Sequence, residues 1–285
     1  MLQTYLTRRN SRWAANRMKY RLLLTDLDGT LLTGTKLISP RTKAVLMKKQ
    51  EQGLTLALAS GRCVRGMMPF AQELRLKEFC GYVLAFNGGR LLECATGKIV
   101  RNVCIPDEIV VNLYHLARRG DCDLVTYSDN EAITNNVENP WVRYEALCND
   151  LALRTTEDFS EFAQIRLNKC LMAGRPEDIG ILEEEATTAF GTEMEFFRSE
   201  PFFLECMPKG VNKGSSLEFL AGLLNISIAE TMACGDGYND LAMISRAGLG
   251  VAMANAQDEV RAGAQYVTGS NEEDGLALAV ERFCV

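Results

Sequence analysis

The chain has 285 residues, more than one ordinary domain needs, so a core domain with an insert is the natural organisation. It is 47% apolar and 24% charged with a net charge of −6, the profile of a globular protein with no attraction for nucleic acid. No stretch approaches the ~20 apolar residues of a membrane span. The single histidine, His115, leaves no room for histidine-centred catalysis, and the ten cysteines lack zinc-ligand spacing.

The first 17 residues carry Arg8, Arg9, Arg12 and Arg17, no acid and no apolar segment of the kind a signal peptide needs. They read as a disordered basic extension, or as an amphipathic targeting segment, with the folded chain starting at Met18. The cysteines are scattered singly through apolar runs. They read as reduced packing residues of a cytoplasmic protein.

Leu22-Leu-Leu-Thr-Asp26 is an apolar run ending on an acid, a buried parallel strand. Ser39-Pro40 is an N-cap followed by proline, opening a helix that ends near Gly53. Leu54–Ala59 is a second strand, with Ser60-Gly-Arg62 at its end, and helix follows to about Leu76. Tyr82–Phe86 is a third strand, closing on Asn87-Gly-Gly89. Alternating strand and helix predict a doubly wound α/β sheet.

The rhythm then changes. A hairpin is expected within 90–103, a helix from about Pro106 to Arg119 that carries His115, and strands over 124–127 and 131–135. Strand 169–173, helix 175–190 and strand 193–199 follow, an α+β insert. The α/β rhythm returns with a helix over 214–224, a strand over 230–235, a helix over 239–246, a strand over 248–252 and a helix over 258–262. The expected division is an extension at 1–17, a core at 18–88 and 206–285, and an inserted domain at 89–205.

Four short elements sit at the ends of the core strands, where open α/β sheets build their sites. In Asp26-Leu-Asp-Gly-Thr30 two carboxylates lie two residues apart just past a strand. One can attack phosphorus while the other protonates a leaving oxygen. Ser60-Gly61 offers a hydroxyl and backbone N–H groups to an anionic oxygen. Lys213 begins a helix between glycines, against the helix dipole, so an anion should compensate it. Gly235-Asp-Gly-Tyr-Asn-Asp240 packs hard oxygen ligands suited to magnesium into a turn. Singly, these read as a turn, an N-cap, a solvated lysine and a glycine-rich loop. Together, in this order and at successive strand ends, they resist that explanation.

Asp26-Leu-Asp-Gly-Thr-Leu-Leu32, Ala59-Ser-Gly-Arg62, Asn87-Gly-Gly89, Lys209-Gly-Val-Asn-Lys-Gly214 and Gly235-Asp-Gly-Tyr-Asn-Asp240 resemble the motifs of the haloacid dehalogenase superfamily, in its Cof-like phosphatases with a large α+β cap. The resemblance runs from about Lys19 to the C-terminus. It implies a Rossmann-like α/β core with an inserted α+β cap, and a magnesium-dependent phosphatase working through an aspartyl-phosphate. Asp26 is then the nucleophile and Asp28 the general acid and later base. Ser60 and Lys213 hold phosphoryl oxygens. Asp26, Asp28 (through its carbonyl) and Asp236 hold Mg2+, braced by Asn239 and Asp240. Gly61, Arg62, Asn87 and Gly88 fall where they can touch the leaving group. Serine stands at position 60, where the family often has threonine; the hydroxyl is kept. The expected substrate is a small phosphate ester, a sugar phosphate first, with pyridoxal phosphate or flavin mononucleotide as alternatives. A phosphomutase of the phosphomannomutase type is the other enzyme reading. A monomer or weak homodimer is expected, with specificity set in the cap, roughly Leu91–Glu200.

Overall fold

A computed structural model describes residues 18–163 and 166–285, so the basic extension lies outside the described residues. Contacts within the chain form two compact units. The first holds the described residues up to Ser60, then Pro69–Lys98 and Asn212–Val285; the second holds Gly61–Met68 and Ile99–Val211. The expected junctions near 88/89 and 205/206 compare with Lys98/Ile99 and Val211/Asn212 here.

In chain order the strands are β1 (Leu22–Asp26), β2 (Thr55–Ala59), β3 (Tyr82–Ala85), β4 (Arg90–Glu93), β5 (Lys98–Asn102), β6 (Asp123–Tyr127), β7 (Glu131–Thr134), β8 (Ala152–Thr155), β9 (Cys170–Ala173), β10 (Met194–Glu200), β11 (Phe203–Pro208), β12 (Thr231–Gly235), β13 (Leu249–Ala252) and β14 (Tyr266–Val267). They form an eight-stranded sheet ordered β14-β13-β12-β1-β2-β3-β4-β5 and a six-stranded sheet ordered β10-β11-β9-β6-β7-β8. The run from β14 to β3 is parallel, and β4 turns back antiparallel on β3. The resulting architecture is a doubly wound α/β core with an α+β insert.

β1 is central, paired on both sides, and every one of its residues is buried. That is why it reads as an unbroken apolar run rather than an alternating one. Its register fixes the site. Asp26 stands opposite Ala59 and Thr25 opposite Cys234, so Asp26, Ser60 and the residues after Gly235 leave the sheet together at the carboxyl ends of their strands. The helix Pro40–Glu51 starts as the sequence requires, with Ser39 Oγ accepting from the Thr42 N–H.

Elements not anticipated from the sequence include the helices Pro140–Cys148, Ser160–Ala163 and Gly275–Phe283, and strands β8, β11 and β14. The Asn139 side chain caps the first helix, with Pro140 at its first position, a signal present in the sequence. β11 is wholly buried yet carries Glu205, which interrupts its apolar pattern. No helix among the described residues is long and apolar enough to cross a membrane.

The second unit has its own apolar core, drawn from the helices Asp107–Arg119 and Pro176–Phe190 and the inner faces of β6, β9 and β11. Beside it lies a buried charge cluster. Lys169, 2% exposed, sits 3.1 Å from Glu205 Oε2 and 3.6 Å from Glu145 Oε1. Its Nζ donates to the Gly61 carbonyl at 3.1 Å, and the Tyr127 hydroxyl donates to Glu145 at 2.7 Å. Burial by itself would strip the Lys169 proton, but Glu205 and Glu145 outweigh it and hold the ammonium above its ordinary range. Replacing Lys169 by Met leaves two buried acids without a counter-charge. We expect a loss of about 3–5 kcal/mol in urea unfolding. The double replacement Lys169→Met with Glu205→Gln should lose measurably less than the single one.

Candidate active site

Asp26 ends β1 and is buried. The chain then folds into tight turns, with the Leu31 N–H donating to Asp26 O and the Leu32 N–H to Leu27 O. Gly29 is needed at their centre. Its φ is +84°, and a Cβ there would collide with the carboxylate of Asp236. Next to it, the Thr30 hydroxyl donates to Asp236 Oδ1 at 2.7 Å. The Asn255 amide fastens the same turn by donating to Gly29 O at 2.9 Å. Asp28 lies on this turn, half exposed, and accepts from Lys36 Nζ at 2.7 Å.

Lys213 is the first residue of the helix Lys213–Leu224, whose N-cap Asn212 accepts from the Ser215 N–H. The ammonium is fully buried. It donates to Asp26 Oδ1 and to Asp240 Oδ1, each at 2.6 Å. The anion that a lysine at a helix N-terminus requires is therefore present twice. Asp240 uses its second oxygen to accept from the N–H groups of Asp236 and Gly237, at 3.0 and 2.9 Å. It closes the turn after β12 and grips Lys213 at once.

Oxygens of Asp26, Asp236 and Asp240 lie within 4.8 Å of one another. Burial pushes Asp26 well above the usual carboxylate range; Lys213 pulls it down, while Asp240 and Asp236 push it further up. Burial likewise lifts Asp236 to about 6, against the pull of the Thr30 hydroxyl. Lys213 moves the other way. Burial would lower it, but Asp240 and Asp26 hold it well above its ordinary value. Three carboxylates against one ammonium leave a net charge of −2 when all are ionised. An all-oxygen, desolvated, anionic cluster of this kind fits a hard divalent cation.

The remaining residues singled out in the sequence divide between the units. Ser60 is buried at the end of β2, and its carbonyl accepts from the Asn87 N–H. The Asn87 side chain accepts from the Asn239 amide at 3.0 Å. Gly88 has φ +100°, and its carbonyl accepts from the Ser216 hydroxyl. All of these belong to the first unit. Gly61 and Arg62 belong to the second, where the Arg62 guanidinium donates to the Cys148 carbonyl at 3.0 Å and Gly61 O meets Lys169.

The family model for haloacid dehalogenase-like hydrolases matches residues 23–280. The chain belongs to this family. A crystal structure of a haloacid dehalogenase-like hydrolase from Bacteroides thetaiotaomicron is similar at a TM-score of 0.88 and 42% identity, covering 92% of this chain and 99% of that one. The structure of a sugar phosphatase of subclass IIB of the superfamily is similar at a TM-score of 0.78 and 25% identity, covering 92% and 98%. An HMP-PP phosphatase from Serratia proteamaculans is 30% identical, over 85% of this chain and 86% of its own length. Within the haloacid dehalogenase-like hydrolases, this chain is an enzyme of the phosphatase class.

Several residues of this site carry no special signal in the sequence. Asn255 reaches back more than two hundred residues to the Gly29 turn, and Lys36 finds Asp28 across a loop; only the folded chain makes those pairs. The Gly29 contact generates a test. Gly29→Ala places a methyl against Asp236 at a φ that disfavours it, so the melting temperature should fall by a few degrees, about 1–3 kcal/mol. Phosphatase turnover should fall at least tenfold.

Proposed function

We propose that the chain hydrolyses small phosphorylated metabolites, sugar phosphates foremost, with Mg2+ and through a phosphoryl group carried on Asp26. The observation that carries this reading is the buried Lys213 ammonium, 2.6 Å from Asp26 Oδ1. The buried lysine opposes the upward push of burial on Asp26 and so favours its ionised form, and it supplies positive charge where a phosphoryl group would arrive. The sugar phosphatase and the HMP-PP phosphatase among its relatives support a small phosphate ester as substrate.

Asp26 attacks phosphorus and the ester P–O bond breaks. Asp28 gives its proton to the departing alkoxide. The Asp28 carboxylate then takes a proton from water, whose oxygen attacks the phosphoryl group on Asp26. The P–O bond to Asp26 breaks, inorganic phosphate leaves, and both acids return to their starting states. Ser60 and Lys213 hold the non-bridging oxygens throughout. Asp26 and Asp236 by their carboxylates, with Asp28 by its carbonyl, would hold Mg2+, while Asp240 and Asn239 brace the turn behind them. The ion supplies charge neutralisation for the transferring group. Little else is needed, since phosphoryl transfer depends mainly on alignment and charge.

Asp26→Asn should leave the fold intact and lower phosphate release at least a thousandfold, because Asp240, the other carboxylate on Lys213, is tied into the turn after β12 by the Asp236 and Gly237 N–H groups. A folded Asp26→Asn protein that still turns over would overturn the assignment. A phosphate-release screen over sugar phosphates, pyridoxal phosphate and flavin mononucleotide, with Mg2+ present, identifies the leaving group. Net isomerisation of a sugar phosphate without phosphate release would instead indicate a mutase.

The metal has a pH signature. Asp236, lifted to about 6, binds its proton more tightly folded than unfolded. Its contribution to metal-free stability is therefore full at low pH and is lost as pH rises toward about 6. A cation must displace that proton. Mg2+ affinity should thus climb between pH 5 and 7 and level off above, with proton uptake by the buffer visible in calorimetry. EDTA should silence turnover and Mg2+ restore it. Turnover undiminished in EDTA, or affinity flat across that range, would contradict the assignment.

A further inference from the structure

Lys36 is built into an unusual place. Its backbone lies in the left-handed region, φ +61°, which a lysine rarely adopts. The turn that holds it there is fixed on all sides. The Lys36 N–H donates to Thr33 O at 2.8 Å and the Thr33 N–H to Leu37 O at 3.0 Å. Leu32 bridges to both Asp28 and Ile38, and the Asn271 amide donates to Leu32 O at 2.9 Å. The Gly34 N–H donates to Glu272 Oε1. From this turn the Lys36 ammonium reaches Asp28 Oδ1 at 2.7 Å.

That ion pair does little for stability. Its side chains are 56% and 35% exposed, and exposed pairs of this kind are worth almost nothing. Glycine or asparagine would make the same turn without strain. A residue held in a costly backbone conformation, with no return in stability, points to a return elsewhere. Its one product on display is a fixed orientation for the Asp28 carboxyl.

We propose that Lys36 is a positioning residue for the leaving-group side of the reaction: its ammonium, exposed enough for its charge to be screened, holds Asp28 through Oδ1, while Oδ2 carries the proton that the departing oxygen receives. The proposal rests on the reading of Asp26 and Asp28 given above. Lys36 needs no contact with the phosphoryl group, so its effect depends on how much the leaving oxygen needs a proton. An alkyl phosphate leaves as a strongly basic alkoxide and needs the acid. p-Nitrophenyl phosphate leaves as a stabilised phenoxide and needs it little.

The test compares the wild type, Lys36→Met, Lys36→Gly and Lys36→Arg, each with saturating Mg2+. The readout is the ratio of kcat/KM on alkyl esters (glucose 6-phosphate, ribose 5-phosphate and glycerol 3-phosphate) to kcat/KM on p-nitrophenyl phosphate. We expect the ratio to fall about three- to tenfold in Lys36→Met and Lys36→Gly, a fraction of what a well-aligned general acid contributes. Lys36→Arg should restore it to within about twofold. Lys36→Gly should melt no lower than the wild type, because glycine relieves the left-handed strain. An unchanged ratio in Lys36→Met overturns the proposal, as does a lowered ratio that arginine fails to restore. A lower melting point in Lys36→Gly also overturns it, since the lysine would then be serving the fold. Asp26→Asn serves as the control: if it still turns over, the function reading fails; if it is inactive while the Lys36→Met ratio is unchanged, only the role of Lys36 fails.

Discussion

The buried ammonium of Lys213 organises the core. An unpaired charge at that depth would be prohibitive. It is tolerated because two carboxylates from different segments close on it at equal distance, Asp26 from the end of β1 and Asp240 from the turn after β12. The helix that begins at Lys213 supplies no help, since its N-terminal dipole repels a cation. The two acids must therefore offset both burial and dipole. The parallel register of β1 against its neighbours is what allows them to, because it delivers Asp26 and the turn after Gly235 to the same, carboxyl end of the strands.

The second unit contains the same device with a different outcome. Lys169 is also buried and also between two acids, and in addition it donates to a backbone carbonyl. There the negative charge stops at two carboxylates, and one of them receives a hydrogen bond from Tyr127. In the core a third carboxylate, Asp236, joins the group, and Thr30 turns it inward. That one additional acid separates a cluster that holds structure together from one that is short of positive charge. A site left short of cations is strained when empty and gains stability when filled, the usual relation between a reactive centre and its ligand.

The sequence made the core strands legible because burial on both faces turns β1 and β2 into unbroken apolar runs, and because Ser39-Pro40 and the turn glycines mark helix ends. It also made Asp26, Lys213 and Asp236 legible as candidates, since each is an ionisable residue at a strand or helix terminus where plain packing has no use for it. What it hid has physical causes. β8 is a short strand with exposed residues and no apolar alternation. β11 is paired on both sides and buried but carries Glu205, a charge that makes sense only once Lys169 is known to face it. The helix Pro140–Cys148, by contrast, is announced by its Asn139 cap and Pro140. Pairings such as Asn255 with Gly29 and Lys36 with Asp28 have no local signature, because Asn255 and Lys36 are ordinary surface residues until the chain folds.

This asymmetry follows from the chemistry. Moving a phosphoryl group demands particular charges at particular strand ends, and charged residue types in buried contexts are conspicuous in a sequence. Aligning the proton that the leaving group receives demands only orientation, and orientation is supplied by residues such as Lys36 whose type is unremarkable. What marks Lys36 is a left-handed backbone joined to the 2.7 Å reach of its ammonium to Asp28, properties of conformation rather than of composition. The parts of an active site that handle charge are thus spelled out along the chain, while the parts that handle direction become visible only as small departures from relaxed geometry.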